Sequence, residues 1–140
     1  MTLQEQLAAL IRTSLEDAQQ GGALPSFDLP ADIVIQRPKP GFGDFATPVA
    51  MALAKPARMA PLQIAQRIAD HLPQDGLIGK VEVAPPGFVN ISLSPRWLGE
   101  QVARILSAGE AVGNVGIGAG QTAQVEFVSA NPTGPLTVGH

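Results

Sequence analysis

Glu126, Ser129 and Asn131 fall close together near the end of the chain, at a spacing that suits a polar ligand. They belong to the string Val125-Glu-Phe-Val-Ser-Ala-Asn-Pro-Thr-Gly-Pro-Leu-Thr-Val-Gly-His140, which reads as a strand running into a Pro/Gly turn that should open a helix. Open α/β sheets bind ligands at the carboxyl ends of their strands, and helix starts bind phosphates through free N–H groups. An acid, a hydroxyl and an amide at that place can satisfy a cationic or amino-acid-like substrate. The same string also fits an edge strand followed by a turn, and residue chemistry alone leaves both readings open.

A second candidate lies in Pro85-Pro86-Gly87-Phe88-Val89-Asn90-Ile91-Ser92-Leu93. Strand alternation puts Val89, Ile91 and Leu93 on one face and Phe88, Asn90 and Ser92 on the other. The aliphatic trio belongs in a core, so the opposite face turns towards solvent. An outward Phe two residues from an outward Asn could read a base, the ring stacking and the amide bonding a base edge. The competing reading packs Phe88 under a neighbouring loop and leaves Asn90 to serve the turn.

The elements that position these residues are legible from composition and periodicity. The chain has 140 residues, 45% of them apolar, which fits one domain with a core and leaves room for the start of another. Charged residues make up only 15% and the net charge is −3, without the Lys/Arg clustering of a free-standing nucleic-acid binder. RNA contact by such a chain should add shape and base contacts to a larger protein that neutralises the phosphates. With no cysteine and two histidines, His71 and His140, disulfides are excluded and a zinc site is not expected. The amino terminus lacks the basic start and apolar run of a secretion signal, and no apolar stretch approaches the about 18 residues of a membrane span. The expected compartment is the cytoplasm, with no membrane partner.

Leu3, Leu7, Leu10, Ile11 and Leu15 recur at helical spacing, and Gly21-Gly22 ends that helix. Ile33-Val34-Ile35 reads as a short buried strand stopped by Pro38 and Pro40. Phe45 to Lys55 reads as an Ala-rich helix with Asp44 as its N-cap and Pro48 in the first turn. Pro61 opens another helix with Ile64, Ala65, Ile68 and Leu72 inward, His71 sitting in its last turn. A hairpin follows, with Val81 and Val83 on one arm and Phe88 to Leu93 on the other. Ser94-Pro95 then caps a helix ended by Gly109, in which Trp97 is expected to anchor the core. Arg37 and Lys39, with Lys55 and Arg58, read as solvated charges. Residues 109 to 120 carry five glycines and read as a linker, before a new strand at Val125 to Val128. The order α-β-α-α-β-β-α implies an α+β domain with about four helices on a small, mainly antiparallel sheet.

The string from Val125 to His140 resembles the start of the class I catalytic domain of arginyl-tRNA synthetases, where a strand carrying Glu-Phe-x-Ser-x-Asn leads into the HIGH signature. Pro85 to Leu93 and Gly41-Phe42-Gly43-Asp44-Phe45-Ala46-Thr47 resemble the amino-terminal domain of the same family. The resemblance divides the chain into an amino-terminal tRNA-contacting domain at 1–110, a Gly-rich linker at 111–121, and the first strand and HIGH-like motif of a Rossmann-like catalytic domain at 122–140.

By this resemblance Glu126, Ser129 and Asn131 match positions that hold the arginine substrate. Thr137-Val138-Gly139-His140 occupies the HIGH position, Thr137 standing where the family usually has histidine. It implies that Thr137, Gly139 and His140 bind ATP, Gly139 leaving room for adenine and His140 contacting phosphates and stabilising charge as the adenylate forms. It implies too that Phe88 and Asn90 contact a base in the tRNA D-loop. The implied parent is an ATP-dependent ligase joining arginine to its tRNA through arginyl-adenylate, magnesium accompanying ATP, in a monomer. The 140-residue chain alone is expected to be inactive. The alternatives are a stand-alone tRNA-binding module and a protein-interaction domain, neither catalytic.

Overall fold

The computed structural model describes residues 2–74, 76–114, 116–126 and 134–135. Helix α1 runs over Leu3–Gln20, with Thr2 as a capping box: its Oγ1 accepts from Glu5 N while Glu5 Oε2 accepts from Thr2 N at 2.6 Å. Leu7, Ile11 and Leu15 are fully buried along one stripe of this helix. Each such side chain contributes roughly 1.5–3 kcal/mol by leaving water.

Strand β1 (Phe45–Thr47) leads into α2 (Val49–Ala57), and α3 (Pro61–His71) follows with Pro61 in its first turn. The hairpin is β2 (Ile78–Ala84) and β3 (Phe88–Leu93), and α4 (Pro95–Ala108) starts at Ser94, whose Oγ accepts from Trp97 N. Two short 3-10 turns cover Gly109–Gly113 and Gly116–Gly118. The sheet is antiparallel in the order β1-β3-β2, so β3 is the central strand. Helix α3 lies at the centre of the helical layer, with α1, α2 and the sheet all packed on it. Where α1 meets α3, the buried Ser14 hydroxyl donates to the Ile68 carbonyl at 2.7 Å. The architecture is the α+β arrangement that the periodicity implies, although its first strand is Phe45–Thr47 and not the expected Ile33–Ile35.

Four local expectations are corrected. Ile33-Val34-Ile35 is not a strand; the segment touches the sheet only through a bridge between Gln36 and Ala46. Proline at 30, 38 and 40 leaves too few consecutive donors for a longer ladder. Phe45–Thr47 is the strand instead, because it completes the free edge of β3, and the helix begins only after Pro48. Asp44 caps no helix: its Oδ2 accepts from Leu93 N at 2.8 Å, so the carboxylate ties β1's entry to the end of β3. Trp97 does not anchor the core, since it is half-buried on a helix with no buried residue. The apolar side chains Leu98, Val102, Ile105 and Leu106 of α4 are likewise exposed.

The expected strand at Val125–Val128 has no regular structure at Val125 and Glu126. A strand needs a partner to satisfy its N–H and C=O groups, and none reaches this segment among the described residues. The remainder of that strand, Phe127 and Val128, lies outside the described residues. Among the described residues no helix is long and apolar enough to cross a membrane.

The amino-terminal cap yields a direct test. Hydrogen bonding to the Thr2 backbone, then to its side chain, holds the Glu5 carboxyl below its usual value of 4.5. A depressed carboxyl stabilises the fold above its unfolded value, and that contribution is lost as pH falls through the lower folded value. Thr2→Ala should cost about 1 kcal/mol at neutral pH. In urea unfolding the gap between variant and parent should then narrow as the solution is acidified through the carboxylate range. A gap that widens on acidification would contradict this cap.

Candidate nucleic-acid interface

The Pro85-Pro86-Gly87 turn sets where β3 begins. Gly87 N donates to the Ala84 carbonyl at 3.0 Å, and the Pro85-Pro86 peptide bond is cis. A Cβ on Gly87 would lie 2.7 Å from Pro61 Cβ, so the turn sits directly on the start of α3. That contact fixes the height at which Phe88 leaves the turn.

Phe88 and Asn90 are two residues apart on β3 and share a face, as alternation requires. Val89 and Ile91 point the other way and are fully buried. The shared face is less open than expected: Phe88 is half-buried and Asn90 is only 6% exposed. The cause is the segment from Gln36 to Phe42, which folds back over β1 and makes a wall. Between wall and strand lies a pocket of about 320 Å³, lined by Phe88, Asn90, Ala46, Arg37, Lys39 and Phe42 among others. That volume is at the small end of the ~300–1,000 Å³ typical of small-ligand sites.

Asn90 sits opposite Ala46 in the β1–β3 register, and the small side chain leaves room above the amide. No buried side-chain nitrogen or oxygen among the described residues lacks a partner unless it reaches solvent. The Asn90 side chain makes no hydrogen bond among those residues, and it lines the pocket. It therefore offers both a donor and an acceptor to whatever enters.

Arg37 and Lys39 are exposed, which agrees with their reading as solvated charges, but both line this pocket. The Arg37 guanidinium carbon lies 4.7 Å from the ring centroid of the buried Phe45, a cation–π contact. Among the described residues no acid lines the pocket. Local sequence could not reveal this pair of charges, because they meet Phe88 and Asn90 only through the fold of the 36–46 segment. An apolar floor, the amides of Asn90 and Gln36, and two cations suit a base with its phosphates.

The other expected site residues are not brought together. Glu126 is exposed and lies in no regular element. Ser129, Asn131, Thr137, Gly139 and His140 lie outside the described residues. Among the described residues no three His, Asp or Glu side chains converge on a metal-sized site.

Comparison with known proteins bears on both regions. A family model described as the arginyl tRNA synthetase N terminal domain matches residues 5–93. The arginine–tRNA ligase of Thioalkalivibrio sulfidiphilus is 46% identical over 139 residues, covering 99% of this chain and 24% of that protein. That of Cereibacter sphaeroides is 48% identical over 143 residues, again covering 24% of the relative. The chain thus spans about a quarter of the length of the curated relatives it matches. Among solved structures, Thermus thermophilus arginyl-tRNA synthetase superposes with a TM-score of 0.55 at 28% identity, over 71% of this chain and 15% of that one. The Plasmodium falciparum arginyl-tRNA synthetase superposes with a TM-score of 0.61 over 74% of this chain and 18% of that one, which at 14% identity speaks to the fold alone. With the family model covering the helices α1 to α3 and all three strands, the chain belongs to the arginyl-tRNA synthetase amino-terminal domain family.

Proposed function

We propose that this chain is the tRNA-contacting amino-terminal part of an arginine–tRNA ligase, and that the pocket on β3 receives a base of the tRNA D-loop. The observation that carries this reading is the Asn90 amide, which lines the pocket from the central strand and makes no side-chain hydrogen bond among the described residues. Phe88 supplies a ring beside it for stacking. Base edges ask for this combination of amide and aromatic face in single-stranded RNA loops.

The parent reaction joins arginine and ATP into arginyl-adenylate with release of pyrophosphate, then passes the arginyl group to a hydroxyl of the terminal ribose of the tRNA with release of AMP. Glu126, Ser129 and Asn131 would hold arginine, the carboxylate facing its guanidinium. Thr137, Gly139 and His140 would meet ATP, with His140 stabilising phosphate charge as the adenylate forms. Magnesium would enter with the nucleotide as part of the substrate. The amino-terminal domain does no bond chemistry in this scheme; it sets the tRNA's orientation, and orientation is where much of the barrier reduction in a bimolecular transfer originates.

Ribonuclease footprinting tests the assignment. The complete ligase should protect the D-loop of its tRNA, and the Phe88→Ala, Asn90→Ala double variant should lose that protection while keeping protection elsewhere. An unchanged D-loop footprint in the double variant would sink the reading.

A further inference from the structure

Phe42 is an aromatic ring to which neither the core nor the family resemblance gives a role. It is 49% exposed and is not among the apolar residues packed against the core. Yet it lines the same pocket as Phe88 and Asn90. Its backbone is tightly placed. Phe42 N donates to the Lys39 carbonyl at 3.2 Å, and Asp44 N donates to the Ile91 carbonyl at 2.9 Å. Glycines at 41 and 43 have φ of +93° and +85°, the left-handed region that other residues avoid. The loop is therefore anchored on both sides of a ring that stands outside the core cluster.

We propose that Phe42 is the second stacking wall of the pocket, so that an unpaired nucleobase enters between Phe42 and Phe88 with its edge on Asn90. This rests on the reading of the pocket as a base site. The occupant follows from what surrounds the two rings. A purely apolar partner would leave the Asn90 amide unpaired, and a carboxylate or free phosphate would gain nothing from two aromatic faces. A nucleotide satisfies all three features: a flat π face for the rings, an edge for the amide, and flanking phosphates for Arg37 and Lys39. Those two cations also give the pocket a local positive rim on a chain whose net charge is −3. The role is one of specificity and positioning: two rings lining one pocket favour a flat base over a sugar or an aliphatic side chain.

The test uses the complete ligase with Phe42→Ala, Phe42→Leu, Phe42→Trp and Phe88→Ala, reading KM for tRNA, KM for arginine and the urea midpoint. Phe42→Ala should raise the tRNA KM roughly tenfold, the scale of one lost base stack. The arginine KM and the urea midpoint should not move. Phe42→Trp should restore the parent's tRNA KM, and Phe42→Leu should not. A Phe42→Ala variant with unchanged tRNA KM, beside a Phe88→Ala variant that loses affinity, would overturn the second wall and leave the base site standing. Unchanged KM in both would overturn the base site itself. Full activity in Phe42→Leu would reduce Phe42 to an apolar filler and also overturn the proposal.

Discussion

In the complete ligase, the Phe88→Ala, Asn90→Ala double variant should raise KM for tRNA by roughly 10- to 100-fold while KM for arginine at saturating tRNA stays put. A stacked base and an amide–base pair are each worth about 1–3 kcal/mol when removed singly. The two side chains share one pocket, so their losses should not add in full. Steady-state aminoacylation at several tRNA concentrations separates the outcomes. A fall in kcat with unchanged tRNA KM would mean that the pocket acts after binding, and the base-contact assignment would fail. Each single variant should lose less than the pair, because the remaining partner still holds the base.

The second large effect is on folding. Gly43→Ala meets two penalties at once. The residue has φ +85°, and a Cβ there would lie 2.8 Å from the Ile91 carbonyl oxygen, which is main chain of the central strand and cannot swing aside. Left-handed backbone costs an alanine about 1–2 kcal/mol, and the clash should bring the loss to roughly 3 kcal/mol. Gly22 provides the control, since it has φ +74° but nothing within 4 Å of the place a Cβ would take. Gly22→Ala should therefore show the backbone penalty alone. Urea unfolding of the 140-residue chain measures both. A Gly43→Ala loss no larger than that of Gly22→Ala would mean that the loop is not pressed onto β3.

The parts of the fold that local chemistry governs were legible in the sequence. Gly21 after α1, Pro61 at the start of α3 and the Ser94-Pro95 cap of α4 all act within one helical turn, and all stand where the pattern puts them. The misread positions depend on partners far along the chain. Phe45–Thr47 runs into an Ala-rich helix and shares its composition; only pairing with β3, more than forty residues away, makes it a strand. Asp44 has the sequence context of an N-cap, yet the N–H it accepts from belongs to Leu93. In α4, periodicity shows which face is apolar but cannot show whether anything covers it.

The candidate site divides in the same way. Alternation along β3 was enough to place Phe88 and Asn90 together. Their enclosure by Arg37, Lys39 and Phe42 depends on how the 36–46 segment folds back, and no short-range signal encodes that. Of the residues matched to arginine and ATP, only Glu126 falls among those described, and it is exposed. The acid's position in sequence is legible; among the described residues no sheet surrounds it.

The placement of Asn90 on the middle strand bears on the speed of recognition as well as its strength. Both neighbours of β3 hold its peptide groups, so the backbone that carries the proposed base-contacting amide is fixed before any RNA arrives. Little backbone freedom is left to be frozen on contact, and protein rearrangement should not limit the encounter. On the proposed base contact, the slow partner would be the RNA, which must unstack a base to present it. Association should accordingly quicken with anything that loosens the D-loop, and hydrogen exchange at β3 amides should stay equally slow with and without tRNA.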